Sequence, residues 1–164
     1  VAAEAPSDPR LRGTDAPALG TDPSRTDVTF RLPARIEHRH LAINMVAAML
    51  EHAAGTDRQF REEMITAFGE AFNNIVIHGY SGRSGGMLRV EGCLGPDQVV
   101  LRLMDTGTPV DFSRITPPDL DSMPEGGMGV FIIHALVDDV AYQSGAVNVL
   151  SLTKRTSSEP TISR

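Results

Sequence analysis

The sequence has no tryptophan, two tyrosines, six phenylalanines and a single cysteine among its 164 residues. One cysteine, Cys93, excludes an internal disulfide. It falls in a strand-like run and is expected to be a small core residue. With so few aromatics, aliphatic and methionine side chains must fill the core, and a hydrophobic content of 41% is enough for them to do so. No apolar run approaches the roughly 20 residues of a membrane span. Val1–Ala5 lacks the basic start and long apolar stretch of a signal peptide, so a cytoplasmic location is expected. The formal net charge of -6 lacks the basic surplus of a general nucleic-acid binder. Neither nucleic acid nor membrane is therefore an expected partner. The length suits one domain.

Residues 1–25 are rich in Ala, Pro, Asp, Thr and Gly without periodicity and read as a disordered tail. Thr26–Leu32 alternates as a strand. Ile36–Ala54 carries Ala42, Met45, Val46, Met49 and Leu50 at helical spacing and ends at Gly55. Asp57 opens a second helix that runs to Gly79. Met87–Leu94 and Gln98–Met104 flank Gly95-Pro96-Asp97, the pattern of an antiparallel hairpin. After four prolines scattered over 107–126, a third helix covers Gly127–Val137. Strands Val140–Tyr142 and Val147–Leu152 follow, then a polar tail over 156–164. This order predicts an α/β fold, a two-layer α/β sandwich with a mixed β-sheet and helices packed on one face.

The second helix carries the first chemistry. Phe60, Met64, Phe68, Ala71 and Ile75 form an apolar stripe, yet Glu70, Asn74 and His78 stand beside it at spacings of four. A carboxylate and an amide on such a surface are costly without partners, whether protein groups or a metal and ligand. Asp105 ends an apolar strand and is followed by Gly107. A carboxylate there can accept from an exocyclic amine such as that of adenine, with Gly107 letting a flat ring approach. Asp-x-Gly is also ordinary turn chemistry. Gly126-Gly127-Met128-Gly129 runs into an apolar helix, whose N-terminal N–H groups suit phosphate. No Lys-Ser/Thr follows the last glycine, so this is not a Walker loop. Magnesium takes few protein ligands where phosphates supply the rest, and one Asn oxygen fits that role.

Over roughly residues 26–154 these motifs resemble the anti-sigma-factor serine protein kinases of bacteria, in the superfamily of gyrase, the Hsp90 chaperone, histidine kinases and the MutL repair protein. The resemblance rests on Glu70-Ala71-Phe72-Asn73-Asn74-Ile75-Val76-Ile77-His78-Gly79-Tyr80, on Asp105-Thr106-Gly107-Thr108-Pro109, and on Gly127-Met128-Gly129. It implies a Bergerat-type ATP-binding kinase domain over 26–155, with ATP and Mg2+ as cofactors. By resemblance Glu70 is the general base toward a substrate serine, Asn74 binds magnesium, and Asp105 reads adenine beside Gly107. Gly127, Met128 and Gly129 hold the phosphates, and residues 108–126 form a lid over the nucleotide. His78 is expected to be structural, as a buried, hydrogen-bonded imidazole.

The lid departs from the family. Many members place an Arg or Lys shortly before Gly-x-Gly. Here Asp111, Asp119, Asp121 and Glu125 surround a single cation, Arg114, which becomes the candidate γ-phosphate contact. Partners implied by the resemblance are an anti-sigma-factor antagonist as phosphorylation substrate, a sigma factor, and a second copy of the chain in a homodimer. Two alternatives stay open. One is a non-catalytic module that uses nucleotide to gate partner exchange. The other is a histidine-kinase catalytic domain with His38 or His40 as phosphoacceptor, although these lie among Arg35, Glu37 and Arg39 on what reads as a solvated face.

Overall fold

The computed structural model describes residues 23–81, 85–112 and 128–156. Most of both expected tails, and Arg114, Gly127 and the lid from 113 onward, lie outside the described residues.

Strand β1 (Thr26–Pro33) leads through a 3-10 turn (Ile36–His38) into α1 (Arg39–Glu51). Helix α2 (Arg58–Asn74) continues without a break as a π-helical turn, Ile75–Gly79. Then follow β2 (Met87–Leu94), β3 (Gln98–Asp105), α3 (Met128–Leu136), β4 (Asp139–Gln143) and β5 (Asn148–Arg155). The start of α2 is set by Asp57, whose side chain accepts from the Phe60 N–H at 2.7 Å, a cap worth about 1 kcal/mol.

The sheet order is β1-β2-β3-β5-β4. The two-layer sandwich is as expected, but the mixed sheet is not, because all four pairings are antiparallel. The crossover through α3 does make β4 run in the same direction as β3. The β4–β5 hairpin then inserts β5 between them, so the parallel neighbours never bond.

Strand alternation divides the sheet into two faces. Phe30, Leu32, Leu88, Val90, Val99, Leu101, Leu103, Leu150 and Leu152 join Val46, Leu50, Met64, Phe68, Phe72 and Ile133 of the helices in one core. Gly92 lies on this face because a Cβ there would stand 2.2 Å from the Met49 methyl, so its absence lets α1 settle on β2. The other face is polar, with Glu91 paired to Arg89 and Arg102. Cys93 is buried, but on this outer face, where an Arg25 N–H donates to its Sγ at 3.0 Å. Thr156 is not part of a free tail: its hydroxyl donates to the Pro96 carbonyl at 2.6 Å and clasps the β2–β3 turn.

Candidate nucleotide site

Helix α2 presents Glu70 and Asn74 toward the first turn of α3. The apolar stripe beside them explains why: Met64, Phe68, Ala71 and Ile75 are buried in the core, which fixes the helix rotation and turns Glu70 and Asn74 to its margin, half-buried. A Cβ at Gly129 would lie 2.9 Å from Glu70 Oε2 and 3.2 Å from Asn74 Nδ2. Glycine at this position is therefore what allows the α3 backbone to approach both groups. Two motifs about 55 residues apart in the chain meet here. The Asn74 Nδ2 is buried without a partner among the described residues, a costly state that a bound group would relieve.

His78 does not join them. The turn after Asn74 is π-helical, with i→i+5 bonds, so four residues no longer bring a side chain back to the same line. His78 is exposed, which corrects the expectation of a buried imidazole. The turn serves another purpose: the Gly79 carbonyl accepts from Thr108 N–H at 2.9 Å. It also lies where a Cβ on Gly107 would be 2.6 Å away. Gly107 is thus needed for the end of α2 to touch the chain after β3.

Asp105 is 3% exposed at the end of β3. Its Oδ1 accepts from Gly107 N–H at 2.7 Å and from Asn148 Nδ2 at 3.2 Å. Among the described residues no bond reaches Oδ2. The turn chemistry expected of this residue therefore falls on Oδ1 alone. Burial pushes the Asp105 carboxyl above the ordinary carboxylate range, and the two hydrogen bonds act in the opposite direction. Tyr80, whose ring lies where a Cβ on Gly86 would be, accepts from Thr106 N–H at 2.9 Å and steadies the next peptide.

The first residues of the expected lid are anchored. Val110 N–H donates to the Tyr142 hydroxyl at 3.0 Å. The Phe112 ring is buried against Tyr142, and its carbonyl meets His134 Nε2 at 2.9 Å. Two residues escaped the sequence reading. Asn148 shares the face of Leu150 and Leu152, so strand alternation carried a signal that it points inward. Arg39 lies over Gly69, one position from Glu70, and donates to Asn73 Oδ1 at 2.9 Å, one position from Asn74; nothing in its local sequence signals that contact.

The comparisons place this fold among ATP-binding domains. Residues 32–154 match the family described as histidine kinase-like ATPase domain. The chain belongs to that family. Within it, the serine-protein kinase RsbW of Listeria monocytogenes is 31% identical over 132 residues, 75% of this chain and 83% of that one. The RsbW of Bacillus cereus is 28% identical over 135 residues, 77% of this chain and 83% of that one. A crystal structure of the RsbU and RsbW domains of a Mycobacterium tuberculosis protein superposes with a TM-score of 0.57 at 22% identity. It covers 79% of this chain and 32% of that one, and speaks for the fold. The resemblance seen in the motifs is borne out: this is an RsbW-type protein serine kinase of the ATPase family, built to bind ATP. No helix among the described residues is long and apolar enough to cross a membrane.

Proposed function

We propose that the chain is an anti-sigma factor that phosphorylates a serine of an anti-sigma-factor antagonist in a partner-switching system, working as a homodimer with 26–155 as its kinase unit. The observation that carries this reading is the meeting of Glu70, Asn74 and Gly129, with Asp105 held at the far end of the same α2–β3 junction. Asp105 Oδ2 accepts from the adenine amine, beside Gly107. The backbone of Gly127, Met128 and Gly129 receives the phosphates at the start of α3, where unpaired N–H groups favour anions.

Glu70 takes the proton of the substrate serine hydroxyl. The serine oxygen then forms a bond to the γ-phosphorus as the bond from that phosphorus to the β–γ bridging oxygen breaks, and ADP leaves with the bridging oxygen. Among the described residues no group of three or more His, Cys, Asp or Glu is placed to hold a metal. The residues fit magnesium only in the sparse manner of nucleotide sites: the Asn74 carbonyl oxygen would hold the ion together with phosphate oxygens, and the unpartnered Asn74 Nδ2 would donate to a phosphate oxygen. Such an ion would supply neutralisation of phosphate charge. Arg114 is the proposed γ-phosphate contact.

One sequence observation favours a second reading, a nucleotide-gated binding module: residues 108–126 hold four carboxylates against one cation. One assay separates them. The purified chain with Mg-ATP and its own antagonist should transfer labelled γ-phosphate to a serine, and Glu70→Gln should bind Mg-ATP without transfer. A wild-type chain that binds ATP yet transfers nothing would decide for the binding module.

A further inference from the structure

Among the described residues the buried polar side chains, apart from the Tyr80 phenol and the Cys93 thiol, are Asp105, Asn148 and Thr156. Thr156 fastens a turn far along the sheet. The other two touch each other. We infer that Asn148 is a positioning residue for purine recognition: its amide locks Asp105 and Gly107 in one arrangement, leaves a single carboxylate oxygen for the base, and so sets the preference for ATP over GTP. This rests on the adenine reading of Asp105 proposed above.

The geometry is specific. Asn148 opens β5 directly opposite Asp105 in the β3–β5 register, so the two side chains share a face. Asn148 Nδ2 donates to Asp105 Oδ1 at 3.2 Å and to the Gly107 carbonyl at 2.9 Å. Its Oδ1 accepts from Gly145 N–H at 3.4 Å. Both neighbours on the amino side are pure acceptors, so the orientation of the amide is fixed by chemistry. Asn148 is 1% exposed and cannot swing away.

The consequence follows from what purines present. Adenine offers an amine where guanine offers a carbonyl oxygen. A charged Asp105 with its free oxygen facing the base attracts the first and repels the second. A carboxyl that has gained a proton can donate to guanine instead, and one free to rotate about its broad χ2 no longer holds its free oxygen toward the amine. The Asn148 amide opposes both escapes. The titratable groups that sense Asp105 are the phenols of Tyr80 on the π-helical turn and Tyr142 on β4, both pushed upward by burial and neutral near pH 7. Burial raises the Asp105 carboxyl, and what counters it in favour of the charged form is the pair of hydrogen bonds from Gly107 and Asn148. A fastener for the hairpin would need neither partner to be the purine acceptor.

The test compares Asn148→Ala, Asn148→Thr and Asn148→Asp with the wild type. Affinities for ATP and GTP are measured by calorimetry from pH 5.5 to 8.5. The Asp105 carboxyl is titrated by carbon NMR in nucleotide-free protein, and folding is checked by thermal melting. The wild type should prefer ATP. Asn148→Ala should lose about tenfold or more of the ATP:GTP ratio, the loss expected for a hydrogen bond to a charged group, and Asn148→Thr, which keeps one donor but cannot reach both Asp105 and Gly107, should lose a smaller part of it. Asn148→Asp sets two carboxylates side by side, which must share a proton. It should raise the Asp105 titration midpoint and admit GTP as pH falls. Should Asn148→Ala fail to fold, Asn148→Thr keeps a donor on a strand-favouring residue and carries the comparison. Folded variants with an unchanged ratio and an unchanged Asp105 midpoint would overturn the inference while leaving the adenine reading intact. A wild type that binds ATP and GTP equally would overturn both.

Discussion

Replacing Gly129 with alanine should separate stability from function. Gly129 is the second residue of α3 and sits in ordinary helical backbone. Alanine is favoured over glycine in a helix by about 0.8–1 kcal/mol. The new Cβ would stand 2.9 Å from Glu70 Oε2 and 3.2 Å from Asn74 Nδ2. Carbon meets other heavy atoms comfortably at about 3.5 Å. Glu70 or the start of α3 must therefore retreat by about half an ångström. The carboxylate is the end of a flexible chain, so the fold should tolerate the shift, and the melting temperature should hold or rise by about 2–4 °C per kcal/mol gained. Catalytic groups are less forgiving: positions must hold to about 0.5 Å, and 1 Å of misplacement can cost about a hundredfold. Gly129→Ala should thus transfer phosphate roughly tenfold more slowly, and its apparent magnesium requirement should rise because Asn74 moves too. The assay is steady-state transfer to the antagonist beside a thermal melt of the same preparation. A stable Gly129→Ala that transfers at the wild-type rate would refute the placement of the reaction between α2 and α3.

Asn74→Ala should weaken nucleotide binding in the presence of magnesium more than in its absence, read by calorimetry with and without the ion. Asp105→Asn should weaken ATP by about 1.5–3 kcal/mol while GTP binding holds or improves, because the amide can donate to guanine, read by competition binding. Because burial raises the Asp105 carboxyl, two pH trends oppose each other. The folded chain binds that proton more tightly than the unfolded chain. Asp105 thus favours folding below its ordinary value, and the benefit is lost as pH rises through its raised value. ATP binding needs the charged form and should instead weaken as pH falls through that range. Asp105→Asn should remove both trends in melting and binding curves across pH 4–8. Tyr80→Phe deletes the acceptor for the Thr106 N–H and should cost about 0.5–1.5 kcal/mol in denaturant unfolding.

The strands, the three helices and the apolar stripe of α2 were legible because each follows a simple period against one buried face. Sheet direction was not, since periodicity within a strand says nothing of its neighbour. The insertion of β5 between β3 and β4 depends on how the α3 crossover lands. The three motifs were each weak in isolation, and what unites Glu70, Asn74 and Gly129 is a contact between helices that no local pattern announces. His78 was misread because a repeat of four assumes an α-helix throughout, and the backbone changes its winding at Ile75. Asn148 was passed over as one polar residue in an apolar strand, although alternation with Leu150 and Leu152 set it on the inner face.

The change of winding has a structural reason that bears on the whole site. Asn74 ends α2 beside α3, while Asp105 lies at the end of β3, and Gly79 is the residue that reaches across. Its carbonyl receives the Thr108 N–H at 2.9 Å, and a Cβ on Gly79 would stand 3.3 Å from the Thr108 carbonyl oxygen. The π-helical turn spaces these five residues so that one backbone carbonyl arrives at the loop following Asp105. The proposed phosphate and base ends of the site are thereby joined through backbone rather than through side chains. A side chain added at Gly79 should press Thr108 away and loosen the base end while α2 stays intact. Gly79→Ala should therefore weaken ATP and GTP alike, unlike Asp105→Asn, and should leave the helical circular dichroism unchanged. Selective loss of ATP alone in Gly79→Ala would contradict this account of the turn.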